Sequence, residues 1–392
     1  MRRERSIALA FMLTAAFAAA AHAAEEQKLK YHLSKVPAQF GIYVDSTRLE
    51  VLSEAPEGVT LPENAGFRPI FARWKTPMAK SGYVLAAFTR SQEKGQTDRL
   101  YIDSNCDGSL ADEQAVKGRV EEPFDFQAMF GPVKVSFPRE GGTTTYHVNV
   151  RCSESRKVQL YASLSSACWY ASTVSIGGAK YYCTLMDYNA NGTFDDASTD
   201  IYECDRIRLG DIAEEPKVAG KYLQAGGKLY RLTVARAGAS VSFEEAADVP
   251  AGTVAAGDKI TSLGVFGENG QLECAVKDGK TEVLAGKWVL YDWAITRKDS
   301  QGKRWTMTGT EFPNPTAFEV AQGKETQLDI GEPVSEVLEV SKSDKEYAVS
   351  AKLVGKLGEE VSISLAGTRV PPNVEISNAD GSYKKTFTLQ YG

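Results

Sequence analysis

Residues 145–150, TYHVNV, put apolar side chains at Tyr146, Val148 and Val150 with polar ones between them. Successive side chains of an extended chain point to opposite faces, so this alternation describes a strand with one face in a core and the other near solvent. The same period of two recurs at Val158, Leu160, Ala162 and Leu164, at Tyr347, Val349, Ala351 and Leu353, at Val361, Ile363 and Leu365, and at Phe387, Leu389 and Tyr391. Between such runs stand Asn269-Gly270, Asp278-Gly279 and Asp380-Gly381. These dipeptides accept the left-handed backbone of a tight hairpin and should join their flanking strands as antiparallel neighbours. Helical patterning is confined to residues 124–130 and 243–247. The predicted fold class is therefore mostly β, built of several antiparallel β-sandwich domains, and a doubly wound α/β fold is disfavoured.

At 392 residues the chain exceeds the roughly 250–300 at which single cores stop growing, so two or three domains are expected. Residues 1–23 read as a signal peptide: MRRERS carries three arginines, an apolar run follows from Ile7 to Ala20, and Ala21-His22-Ala23 forms a small-x-small cleavage site. The run is shorter than the roughly 20 residues a spanning helix needs, and no later stretch comes closer, so no transmembrane segment is expected. The location implied is periplasmic or secreted. Composition shifts then divide the chain into 24–245, ending in the strand pair KLYRLTVAR and ASVSF; 246–332, entered through Pro250 and the linker-like AGTVAAGD; and 333–392. The regular strands after Pro333 resemble a small immunoglobulin-like or prealbumin-like sandwich.

Lys and Arg number 45 against 51 Asp and Glu, and the formal net charge is −6. Without a basic run the chain lacks the electrostatic footprint of a nucleic-acid binder, and no nucleic-acid partner is expected. Six cysteines, Cys106, Cys152, Cys168, Cys183, Cys204 and Cys274, follow the signal. An even number in an oxidising compartment suggests disulfides. Cys183 lies four residues before Asp187 and Cys204 four after Asp200, so a hairpin closed over that loop would bring the two together. Cys152 with Cys168 is a second pairing, and buried free thiols are the alternative. No CxxC or Cys/His knuckle spacing points to zinc.

Two segments carry the clearest chemistry. LYIDSNCDGSLADE sets Asp103, Asn105 and Asp107 at alternate positions before Gly108, and TLMDYNANGTFDDA sets Asp187, Asn189 and Asn191 likewise before Gly192. The copies also share an apolar residue at position 8, Leu110 or Phe194, and an Asp at position 10, Asp112 or Asp196, which marks a partial internal repeat. Oxygens at alternate positions of a tightly wound loop converge on one point, Gly supplies the bend, and the carbonyl of Ser109 or Thr193 can add a ligand. Hard oxygen donors without thiolate or imidazole favour Ca²⁺ over transition metals. The bland reading is that these are Asx-rich turns holding no ion, since Asp, Asn and Gly all favour tight turns. Two matched copies make chance a poor explanation.

Through DxNxDG and DxNxNG the loops resemble the calcium loops of EF-hands, dockerins and thrombospondin type 3 repeats. Carried over by position, the resemblance implies Asp103, Asn105, Asp107, Asp187, Asn189 and Asn191 as side-chain ligands. It departs at position 12, where an EF-hand has a bidentate Glu and this chain has Gln114 or Ser198. Asp112 or Glu113, and Asp195 or Asp196, can fill that place. The loops also leave strand-like residues, not a helix. A structural ion is expected, because such loops usually saturate their ion with protein ligands.

Catalytic sets lack material. After the signal only His32 and His147 remain, so a Ser-His-Asp triad or His-rich metal centre is not expected. SSACWY around Cys168 is similar to the nucleophile segment of papain-like and transglutaminase-like enzymes, but those place a His downstream, and none follows Cys168. No GxSxG, Walker loop or GxGxxG context is present. Trp74, Trp169, Trp288, Trp293 and Trp305 permit a sugar-stacking face. Trp288 and Trp293, five apart, should point to opposite faces of a regular strand, one in the core and one exposed. As a whole the chain resembles secreted bacterial proteins built of β-domains with EF-hand-like calcium loops. The function expected is a calcium-binding, noncatalytic protein that binds carbohydrate or another cell-envelope component. The alternatives are an extracytoplasmic hydrolase of polysaccharide or peptide using acidic residues, and a structural or adhesion envelope protein.

Overall fold

The TYHVNV stretch lies inside strand Gly142–Glu154, which pairs antiparallel with Phe124–Arg139 on one side and Leu160–Ser166 on the other. Tyr146, Val148 and Val150 are buried, as their alternation requires. The computed structural model describes residues 24–34, 47–121, 124–154, 160–344 and 346–389. Residues 1–23, where a signal peptide is expected, and with them Val158 and Tyr391, lie outside them. Among the described residues no helix is long and apolar enough to cross a membrane. Both stretches with helical patterning are strands, Phe124–Arg139 and Ser240–Glu245, because each finds a ladder partner, Gly142–Glu154 and Lys228–Val234.

The first part of the chain contains three five-stranded sheets and one of four strands. One runs Glu50–Val51, Phe67–Lys75, Tyr83–Arg90, Arg99–Ile102, Val116–Lys117; a second is centred on Gly142–Glu154; a third runs Lys217–Val218, Arg206–Leu209, Ala179–Met186, Cys168–Ile176, Lys30–Leu33. Their inner faces share one core that holds Trp74, Phe88, Phe130, Phe137, Tyr146, Leu185 and Phe194. A second core lies beyond residue 250, around Val254, Leu263, Trp288, Trp293 and Val361.

The linker-like AGTVAAGD holds strand Ala251–Ala255, which pairs antiparallel with Lys280–Leu284 and parallel with Glu325–Gln327. Its small residues serve close packing: a Cβ on Gly252 would stand 2.4 Å from the Ala321 carbonyl oxygen. Past 332 most of the chain joins a sheet already begun before it, and only Asn373–Ser377 and Lys384–Thr388 pair apart from it, with each other. Glu360–Leu365 pairs with Arg304–Thr310, and Glu346–Val354 and Ser335–Ser343 extend the same nine-stranded sheet, so the 332/333 boundary lies within one sheet. The two cores meet where Cys204 and Val218 pack on Phe266 and Val289.

Trp288 and Trp293 are both fully buried, contrary to the expected opposition. Along strand Gly286–Lys298, Asp292 pairs with Gly264 but Leu290 with Val265, so Tyr291 is an extra residue against its partner strand. Such a bulge shifts side-chain parity by one. Trp288 and Leu290 before it, and Trp293 and Ile295 after it, therefore all enter the same core, while Tyr291 stays exposed.

Candidate metal centre in two matched loops

Strand Arg99–Ile102 runs into the first acidic loop and strand Ala179–Met186 into the second. Both loops wind the same way. Asp103 Oδ1 and Oδ2 accept the N–H groups of Asp107 (3.1 Å) and Gly108 (3.0 Å); Asp187 Oδ1 and Oδ2 accept those of Asn191 (3.2 Å) and Gly192 (2.7 Å). Asn105 and Asn189 each accept the N–H two residues on, as do Asp107 and Asn191. Position 4 is left-handed in each, Cys106 at φ 56° and Ala190 at φ 53°, and so is the glycine, Gly108 at 88° and Gly192 at 92°. At position 8 Leu110 and Phe194 are both buried.

The carboxylate at position 10 completes each loop. Asp112 lies 3.4 Å from Asn105 Nδ2, which also donates to Asp107 at 2.9 Å. Asp196 Oδ2 accepts from Asn191 Nδ2 (2.7 Å), Thr193 Oγ1 (2.6 Å) and Asn189 Nδ2 (3.5 Å). Of the residues proposed from spacing, the structure thus groups Asp103, Asn105, Asp107 and Asp112, with Ser109 following, and Asp187, Asn189, Asn191, Thr193 and Asp196. It takes two away. Glu113 turns both oxygens to Ser104, accepting its N–H at 2.6 Å and its hydroxyl at 2.9 Å, and Asp195 is exposed with the Arg236 charge nearby. Among the described residues no three His, Cys, Asp or Glu side chains converge as a ready-made metal cluster. The donor sets here mix carboxylates with Asn amides, with the carbonyls of Ser109 and Thr193 beside them. Their chemistry, oxygen throughout, fits a hard cation such as Ca²⁺.

One residue that braces the second loop escaped the spacing. Asp205 accepts the N–H of Tyr188 at 3.1 Å, the position 2 amide that Glu113 caps in the first loop through Ser104, and also the N–H of Asp196 at 2.8 Å. The second loop borrows its bracing carboxylate from beyond the repeat, next to strand Arg206–Leu209, where no spacing rule would place it.

The two loops differ in depth. Asn105, Asp107 and Asp112 are exposed, whereas Asp187, Asn189, Thr193 and Asp205 are buried. Three side chains from elsewhere hold the second loop by its carbonyls: Thr47 on Asn189, Trp74 Nε1 on Ala190 at 2.9 Å and Thr76 on Asn191 at 2.5 Å. Tyr146 donates its hydroxyl to Asp187 at 2.6 Å, and its ring packs on Trp74 and Phe194. Burial pushes the Asp187 and Asp205 carboxyls well up, and the neighbouring carboxylates act in the same direction. Burial also raises Asp103 and Glu113, against the hydrogen bonds they accept.

The predicted Cys183–Cys204 disulfide is not formed, nor is Cys152–Cys168; all six thiols are free. The ladder closes at Met186 and Arg206, not at Asp187 and Asp200, so Cys183 faces Leu209 while Cys204 packs in the seam between the cores. Cys152 faces Ala162 and Cys168 faces Leu33. Cys168 lies near His147 in space, its Sγ 3.7 Å from the His147 carbonyl, but the imidazole Nδ1 pairs with the Tyr31 hydroxyl at 2.5 Å. Burial pushes the Cys168 thiol up to about 11, far from the thiolate a nucleophile needs. No protein-family model, curated protein or solved structure matches the chain.

Proposed function

We propose that the protein is an exported, noncatalytic, calcium-stabilised β-protein of the cell envelope, with carbohydrate or another envelope component as its partner. The observation that carries the calcium reading is the recurrence of one loop backbone at the two sites that carry the acidic repeat. Positions 1 and 8 are buried in both copies, but Asn105, Asp107 and Asp112 are exposed where Asn189 and Thr193 are buried, so the winding persists through different surroundings at the ligand positions. The set that would hold the ion is Asp103, Asn105, Asp107 and Asp112 with the Ser109 carbonyl in the first loop. In the second it is Asp187, Asn189, Asn191 and Asp196 with the Thr193 carbonyl. A divalent cation would offset the charge of carboxylates that the fold takes out of water, which supports a structural role.

Thermal unfolding of residues 24–392 in EDTA and across a calcium series tests this. A ligand bound only by the folded state raises Tm with its concentration. Calcium should raise Tm, and Asp103→Ala and Asp187→Ala should each blunt the rise; an unchanged Tm at millimolar calcium removes the reading. The partner reading rests on the export signal and on aromatic surface such as Trp305, whose ring is partly exposed beside Asp299. Binding to glycans and cell-wall fractions in calcium is its check, and none retained would sink it.

A further inference from the structure

Strand Ser335–Ser343 forms an outer edge of the nine-stranded sheet. Glu346–Val354 pairs with its whole length in an unbroken register, and among the described residues nothing pairs with its other side. Natural edges are usually kept short or interrupted by bulges or proline, because free N–H and C=O groups invite another strand. This edge is nine residues long, regular and free of proline. It is also amphipathic. Leu338 and Val340, with Tyr347, Val349, Ala351 and Leu353 on the neighbouring strand, share one face, on which Leu338, Val340 and Tyr347 are 52%, 59% and 64% exposed.

Hydrogen-bond phase limits what can add to this edge. Ser343 and Glu346 close the ladder as its last pair, and the chain turns after Ser343 at Asp344, φ 50°. Residues flanking such a turn bond each other, and bonding alternates along the ladder. The odd positions therefore bond inward, and Glu336, Leu338, Val340 and Lys342 present their backbone groups outward. A second strand must meet those four with outward-facing groups of its own.

We propose that the second strand is this same segment in another copy of the chain, antiparallel about a two-fold axis through Glu339. In that register Ser335 meets Ser343, so all nine residues pair, and every outward-bonding position meets another. Glu336 then faces Lys342 of the other copy twice, and Leu338 faces Val340 twice. Shifts of register that keep the hydrogen-bond phase lose both the opposite-charge pairs and the full overlap. The two Glu339 side chains meet on the opposite, polar face, where each already has Lys352 at 3.3 Å. Lys342 is drawn toward the apolar side, its Nζ 5.4 Å from the centre of the Tyr347 ring, next to where the partner Glu336 arrives. The interface is isologous, and it closes on itself without leaving a strand edge to propagate.

Sedimentation velocity of the mature chain tests the proposal across a roughly 1 to 100 μM range. The wild type should pass from monomer to dimer. Glu336→Lys and Lys342→Glu alone each replace two attractive pairs by two repulsive ones and should weaken the dimer about tenfold, while the double variant restores it. Val340→Pro removes an outward N–H and should abolish the dimer. Glu339→Cys should oxidise to a covalent dimer, because directly opposed, non-bonded positions hold Cα atoms about 4.5 Å apart, within disulfide range. Glu336→Cys should not, and the wild type run beside it accounts for the native thiols. A wild type that stays monomeric throughout overturns the proposal, as does a dimer indifferent to the charge reversals or a Glu339→Cys variant that fails to cross-link.

Discussion

Asp187 and Asp103 hold the same place in the repeat but not in the fold. Replacing Asp187 by Ala strands the Tyr146 hydroxyl and the Gly192 N–H in the core and leaves the Asn191 N–H with Asn189 alone. Since each unpaired buried donor costs about 1–3 kcal/mol, Asp187→Ala should cost about 3–5 kcal/mol in EDTA. Asp103 is also buried, but the N–H groups it caps belong to the exposed Asp107 and Gly108, so Asp103→Ala should cost nearer 1 kcal/mol. Urea unfolding of the two variants checks the order, and equal losses would mean that the second loop is not buried as described. The same carboxylate gives a pH dependence. Burial holds Asp187 up to about 7, so from the ordinary carboxylate range to that point the folded state carries more protons than the unfolded one. Stability therefore falls as pH rises through that window. In EDTA, Tm should decline between pH 5 and pH 7.5, and both calcium and Asp187→Asn should flatten the curve. A Tm that climbs over the same range would show that the carboxylates are neutralised in another way.

At the scale of elements, the repeated loop was legible because its winding depends on residues adjacent in the chain. Asp at position 1 reaches the amides four and five residues on, and glycine takes the left-handed turn between. Gly108 and Gly192 separate local from tertiary demands. A Cβ on Gly108 meets open space, so Gly108→Ala should cost about 1 kcal/mol for its backbone angle alone. A Cβ on Gly192 would lie 3.0 Å from Met78 Cγ and 3.3 Å from the Thr76 hydroxyl, so Gly192→Ala should cost roughly twice that and blunt calcium stabilisation further. Calorimetry of both variants decides. Strand Gly286–Lys298 shows the opposite case: its alternation is broken by the bulge at Tyr291, and nothing in the residues themselves marks the extra position. Two tryptophans that alternate in sequence therefore share a core.

For the molecule as a whole, the mostly β, antiparallel class followed from period-two patterning, and the observed sheets carry it. The thiols did not follow from sequence symmetry. Cys183 and Cys204 sit in separate clusters, so reduction should leave Tm unchanged, and thiol titration in denaturant should find six free groups where the native protein reacts slowly, with Cys106 first. A drop in Tm on reduction would mean that a disulfide forms. Strand period and loop winding were determined by sequence alone, since both are set by bonds and steric limits a few residues long. The bracing of the second loop by Asp205, the parity of Trp293, the separation of the cysteines and the joining of strands 335–365 to the preceding sheet were decided only by tertiary structure. Each depends on which distant segment fills the neighbouring place, and that is a matter of packing, not of chain order.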